Sequence, residues 1–310
     1  WAAQCEEQIV DCLSREGNHS HALTLSRQVQ TRWQDLHRPT RTSFQDYVQT
    51  ESNLDLGHPD AAWQTLVQGL RFAYTHQTWS GAAAMHRQLG NLAPGALQGT
   101  PPAKLFVMDR CWQQHDRNPF NELLVLLDHA AWLQNGRDWS GAKALLNQAT
   151  VLGECGREGR MYLELGLARW YGEQAIISST HEHLVAAEQA ALDTGSLALL
   201  SQMRLTWAEL LGTEKQYRTE CEERLHQAEN GFRQTRNLQG RFGCLLLRCE
   251  QALMPLDEPP RVHDGSAWLA EAEALAPRIP YLLAHLRLGL LRARWHSLRD
   301  NTGEAARWLH

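Results

Sequence analysis

Apolar residues along this chain recur at three- and four-residue spacing, the period of helices with one buried face. Over 1–14, Ala2, Cys5, Ile9, Val10 and Leu13 fall on one side of such a helix, and Gly17-Asn18 ends it. Ser20 can cap a second helix that runs to about 33. The same reading predicts helices over 41–56, 60–76, 79–89, 103–114, 119–134, 138–152, 157–172 and 180–194. It continues with helices over 197–212, 215–235, 238–253, 264–276, 279–299 and 302–310. A Gly- and Pro-rich loop is expected over 90–102, and Asp257-Glu258-Pro259-Pro260 forms a long connector. Period-two alternation long enough to make a strand does not occur.

The punctuation is clearest at Leu54-Asp55-Leu56-Gly57-His58-Pro59-Asp60-Ala61-Ala62-Trp63. One helix ends at Leu56, Gly57 supplies the C-terminal turn, and Pro59-Asp60 opens the next helix. Small residues then let the second helix lie close to the first, giving an αα-hairpin. Variants recur at Asn135-Gly136-Arg137-Asp138-Trp139-Ser140-Gly141-Ala142 and at Asp300-Asn301-Thr302-Gly303-Glu304-Ala305-Ala306. First helices begin near 2, 41, 79, 119, 157, 197, 238 and 279, a nearly constant period of about 40 residues. A repeat of that kind buries each unit's apolar face against its neighbour. The expected fold is all-α: one right-handed αα-hairpin solenoid of about eight hairpins over 1–310.

The Leu-x-Leu-Gly-x-x-x-Ala-Ala-Trp pattern of 54–63 resembles the turn of a tetratricopeptide (TPR) repeat, as do Gly136 with Ala142 and the Gly303-Glu304-Ala305-Ala306 run. A TPR unit is about 34 residues long, shorter than the period here. The longer unit is similar to the repeats of bacterial signal-responsive transcription activators of the maltose-regulator (MalT, LuxR-type) class. That resemblance implies a sensor superhelix set between an ATPase module and a helix-turn-helix effector, with first helices lining the concave face. The chain begins at Trp1 and stops inside an apparent helix, so it is expected to be a piece of a longer polypeptide.

Composition narrows the function classes. The chain is 43% hydrophobic and 21% charged, with a formal net charge of -5 and no Lys/Arg run. Direct contact with nucleic acid is not expected from it. The strongest apolar run, Leu123-Leu124-Val125-Leu126-Leu127, is far shorter than a bilayer needs and stops at Asp128. Seven cysteines (Cys5, Cys12, Cys111, Cys155, Cys221, Cys244 and Cys249) include no C-x-x-C, so buried free thiols in a reducing, cytoplasmic setting are expected.

Chemistry-bearing motifs are sparse. Phosphate loops, dinucleotide fingerprints, H-E-x-x-H and nucleophile elbows are absent, and neither an enzyme nor a cofactor is expected. His181-Glu182-His183 places two imidazoles about 200° apart on a helix, so they cannot share a metal. It follows Ser178-Ser179-Thr180, read as a helix cap. Of the twelve tryptophans, Trp63, Trp139, Trp268 and Trp308 lie early in second helices, where they suit packing between hairpins. Trp170, Trp207 and Trp295 lie on first helices and suit stacking against a flat ligand.

Arg241 and Arg248 share one helix face, Arg287 and Arg294 repeat the spacing, and Arg204 occupies a comparable place one repeat earlier. Stacked hairpins would align these into a ladder for carboxylates or phosphates. The alternative is a solvated face paired with Glu209, Glu250 and Asp300. The candidate site is therefore Arg204, Trp207, Arg241, Arg248, Arg287, Arg294 and Trp295. Two functions remain open: a non-catalytic sensor of a bacterial signalling or transcription regulatory protein, and a protein-interaction scaffold without a small-molecule site. The partners expected are a protein segment or small ligand in the concave groove and neighbouring domains of the same polypeptide, with no membrane.

Overall fold

The computed structural model describes residues 2–92, 102–116, 119–152, 155–253, 259–279 and 282–307. Among them sixteen α-helices and two short 3-10 turns, but no strand, are present. They run α1 (Ala2–Arg15), α2 (His19–Asp35), α3 (Pro39–Asp55), α4 (Pro59–Thr75), α5 (Trp79–Leu92), α6 (Pro102–Asp116), α7 (Pro119–Asn135) and α8 (Trp139–Val151). The second half comprises α9 (Gly156–Glu173), α10 (Ile177–Thr194), α11 (Leu197–Leu211), α12 (Arg218–Gln234), α13 (Leu238–Leu253), α14 (Val262–Leu275), α15 (Leu282–Ser297) and α16 (Thr302–Arg307). Consecutive helices pack pairwise, giving a solenoid-like all-α array. None is long and apolar enough to cross a membrane.

The helix ends explain why the sequence repeat is hard to see. Turn residues Gly17, Gly57 and Gly195 adopt positive φ, but so do His37, Gln77, Arg137, Ala175, Arg236 and Asp300 at φ of 52 to 61°. At Gly57 the flanking amides close on Leu54 and Asn53 carbonyls at 2.9 and 2.7 Å. Ala175 and Ile176 repeat the arrangement on Gly172 and Tyr171 at 2.9 and 3.0 Å. The hydrogen bonds of this Schellman turn satisfy the last carbonyls whatever the side chain, and the left-handed residue costs an L-amino acid only about 1–2 kcal/mol. Glycine is therefore optional at most turns.

Boundaries differ from expectation in a few places. Lys215–Tyr217 is a separate 3-10 turn before α12, and Ala276–Arg278 is another, so α15 begins at Leu282 rather than near 279. Ser178, Ser179 and Thr180 are not a cap: α10 starts at Ile177, and the buried Thr180 hydroxyl donates back to the Ile176 carbonyl at 3.0 Å. Most of the 90–102 loop, part of the 257–260 connector and Trp308 lie outside the described residues. The expectation of uniformly buried thiols is also corrected, since Cys5, Cys12 and Cys111 are exposed while Cys221, Cys244 and Cys249 are buried.

Contacts between alternate helices run through the odd-numbered ones: α1 to α3, α3 to α5, α7 to α9, α9 to α11, α11 to α13 and α13 to α15. The odd helices therefore crowd together on the inner side of the array. The largest apolar cluster lies between α9 and α13, around Met161, Leu184, Met203, Trp207, Leu225 and Phe232. The array also returns on itself, because α13 packs against α3. At that seam Asn237 donates to Asp55 at 3.1 Å and Arg278 donates to the Leu56 carbonyl at 2.5 Å. Gly17 and Gly57 are needed there for a second reason. A Cβ on Gly17 would stand 2.3 Å from Thr235 Cβ, and one on Gly57 would stand 2.8 Å from both Arg278 Cβ and a Leu238 methyl.

Candidate ligand-binding cavity

Closure of the seam frames a half-open cavity of about 940 Å³, within the range of small-molecule sites. Its described walls come from α1, α3, α5, α7, α9, α11 and α13, with His19 of α2 and Phe232 of α12 added. The ends of the array thus meet across one space that no single hairpin could enclose.

Helix α3 forms its most elaborated wall. An inner helix between apolar neighbours would ordinarily be rich in Leu and Ile. The buried residues of α3 are instead mainly polar: Thr42, Ser43, Gln45, Asp46, Gln49, Thr50, Ser52 and Asn53, beside Val48 and Leu54. Partners satisfy many of these groups. Ser26 donates to Gln45 Oε1 at 2.9 Å, Gln30 to Asp46 at 2.5 Å, Gln49 to Gln30 at 2.9 Å, and Ser43 and Thr78 share a 2.7 Å hydrogen bond. Burial pushes the Asp46 carboxyl up to about 6, partly offset by the Gln30 hydrogen bond. Such a network fixes α3 in one position because each group left unpaired would carry its desolvation cost.

Phe44, Tyr47, Val48, Glu51, Leu54 and Asp55 of α3 line the cavity. The Tyr47 hydroxyl donates to Glu51, while Gln88 of α5 donates to the same Glu51 oxygen at 2.8 Å. Arg87, only 7% exposed, donates to the Tyr47 oxygen at 2.8 Å and stands 4.0 Å from Asp128. Burial raises the Glu51 carboxyl above its usual range, more than the Tyr47 hydroxyl and Arg87 lower it. One turn on, Asp55 lies 3.3 Å from His19 Nε2 and accepts from Asn237. Burial pushes Asp55 up to about 7, against the Asn237 hydrogen bond, and pushes His19 down to about 4. His19 is therefore uncharged at neutral pH, while Asp55 is in mid-titration there. Glu7 is compensated differently, by Arg41 at 2.9 Å. No protein-family model and no curated protein matches this chain.

The residues expected to bind lie elsewhere, toward the later repeats. Four of the five ladder arginines are paired with carboxylates. Arg287 of α15 pairs with Glu250 of α13, one contact at 2.6 Å, and lies 3.5 Å from Glu209 of α11. Arg248 meets Glu229 at 2.9 Å and sits over the Trp268 ring, 5.5 Å from its centre. Arg204 reaches Glu188 at 3.3 Å, and Arg241 reaches Glu271 at 2.8 Å. Arg294 is exposed and donates to the Leu253 carbonyl at 3.4 Å.

Trp207 has no open face, since it is 1% exposed with Arg224 at 3.7 Å from its ring centre and His181 against it edge-on. Trp295 is half-buried between Arg292 and Arg299, at 4.8 and 4.7 Å. Trp170 carries the Lys143 ammonium at 4.2 Å. His181 and His183 diverge as their spacing dictates. His181 stacks on Tyr217, and His183 hydrogen bonds with Glu164 at 2.7 Å.

The cavity escaped the sequence reading because its walls come from helices spread from Gln4 to Gln239. One signal was nonetheless present: polar residues at core spacing on α3, in a helix with few large aliphatic side chains.

Proposed function

We propose that this chain is the ligand-binding, non-catalytic sensor superhelix of a bacterial signalling or transcription regulatory protein, right-handed and TPR-like, as the resemblance of its repeat implies. The ligand occupies the cavity, and the output passes to neighbouring domains of the same polypeptide. The observation that carries this reading is the half-open 940 Å³ cavity between α1–α3 and α11–α13. A ligand there touches both ends of the array at once. It favours the closed seam by its differential affinity for that state, and a small change in each hairpin's rotation accumulates along the repeat.

The test is thermal unfolding against sugars, nucleotides, amines and short peptides, because a ligand that prefers the folded chain raises the midpoint by mass action. Gln202 of α11 lines the cavity, and Gln202→Trp places a bulky indole in it. A stabilising compound that loses its effect in this variant, and that slows amide exchange near Gly57 and Asn237, supports the proposal. A stabilising compound that is indifferent to Gln202→Trp, or no stabilising compound at all, overturns it.

A further inference from the structure

Three acceptor-bearing side chains come together on one part of the cavity wall. Glu51 and Asp55 are one turn apart on α3, so they present acceptors to the same space. The charge of each is poorly compensated. Glu51 accepts from neutral Tyr47 and Gln88, and the nearby Arg87 is shared with Asp128. Asp55 accepts from neutral Asn237. His19, 95% buried by its 5% exposure, lines the same space with neither ring nitrogen in a hydrogen bond. A neutral imidazole has one acceptor nitrogen, and here that acceptor is unused. Tyr47, Tyr162 and Phe44 add aromatic surface of the kind that attracts a cation.

We propose that the ligand is an organic cation, an amine or guanidine whose N–H groups are received by Glu51, Asp55 and His19 beside the Tyr47 and Tyr162 rings. This rests on the reading of the cavity as a ligand site. Burial raises both carboxyls, outweighing Arg87 at Glu51, and lowers His19, so the charged carboxylates carry a desolvation cost that is not fully offset. A positive group brought between them offsets it. A bare metal ion fits less well, because among the described residues no three His, Cys, Asp or Glu side chains converge on one point. The space is also far larger than an ion. An anion finds Arg41 already paired with Glu7 and Arg87 engaged with Tyr47 and Asp128. Gln239 Nε2 of α13 is also buried without a partner, and it offers a donor to an oxygen on the same molecule.

The experiment is calorimetric titration of the chain with spermidine, arginine and choline, against glucose and citrate as neutral and anionic controls. It is repeated on Glu51→Gln, Asp55→Asn and Gln202→Trp, with each variant's fold checked by its thermal midpoint. The expected result is binding by at least one of the cations, weakened tenfold or more by either charge-removing variant and lost in Gln202→Trp. Cation binding that survives both charge removals overturns the inference. Glucose or citrate binding that is lost only in Gln202→Trp also overturns it, while leaving the cavity as a ligand site. Binding by none of the five overturns it as well.

Discussion

Asn237 and Asp55, 182 residues apart in the chain, share a 3.1 Å hydrogen bond that holds the two ends of the helical array together. Asn237 also caps α13, accepting from the Gly240 amide at 2.7 Å. Asn237→Ser keeps a capping oxygen but cannot span to Asp55. The expected cost is about 1–2 kcal/mol, read from urea unfolding. Faster amide exchange is expected in the turns around Gly57 and Arg278, with little change around α8.

Gly57 and Gly195 both have left-handed backbone, but only Gly57 faces the seam. Gly195→Ala should cost about 1 kcal/mol, the backbone strain alone. Gly57→Ala adds the overlap with Arg278 and Leu238, so its loss should exceed that of Gly195→Ala by about 1 kcal/mol or more. Parallel denaturation curves measure the difference.

Asp55 gives the chain a signed pH dependence. Its folded carboxyl titrates near 7, above the unfolded value of about 4. The folded state therefore holds the proton more tightly. Asp55's contribution is full below about pH 4 and is lost as the pH rises through 7. His19, lowered to about 4, works in the opposite sense, its contribution fading as the pH falls from about 6.5 toward 4. Asp55→Asn isolates the first effect. Relative to the unsubstituted chain, the variant should gain stability steadily between about pH 4 and 7 and run parallel above that, in urea midpoints taken at half-unit intervals.

Trp207 is a packing residue. With its ring covered by Arg224 and His181 inside the largest apolar cluster, Trp207→Ala should cost about 3–5 kcal/mol. Trp207→Phe should recover most of that loss. Any compound that binds the cavity should keep its affinity in Trp207→Phe, measured by titration.

Arg287 bridges α15 to Glu250 and Glu209. Arg287→Ala leaves Glu250 and Glu209 without their shared cation and should lower stability by about 1 kcal/mol or less, an effect that shrinks in high salt. Citrate or phosphate should shift the thermal midpoint equally in the variant and the unsubstituted chain.

The succession of helices was legible in the sequence because it is a local property. Three- and four-residue spacing names the helices, and Gly17 and Gly57 stand at turns where the backbone turns left-handed. The period near 40 residues predicted a stack of hairpins, and consecutive helices do pack in pairs. The arginine spacing puts Arg241 with Arg248 and Arg287 with Arg294 on one helix face each, but does not say what that face meets. Packing decides that, because Glu209, Glu250 and Arg287 are neighbours only once α11, α13 and α15 are side by side.

Tertiary structure alone decided where the array closes. The approach of Gly17 to Thr235 and of Asp55 to Asn237 depends on the summed rotation of every intervening hairpin. That sum is not written in any single repeat. The cavity follows from the same closure, as do the shifted titrations of Asp55 and His19, because desolvation depends on which distant helices cover a group. Sequence thus set the helices, their order and the polar face of α3, while the accumulated geometry of packing made that face the wall of a cavity.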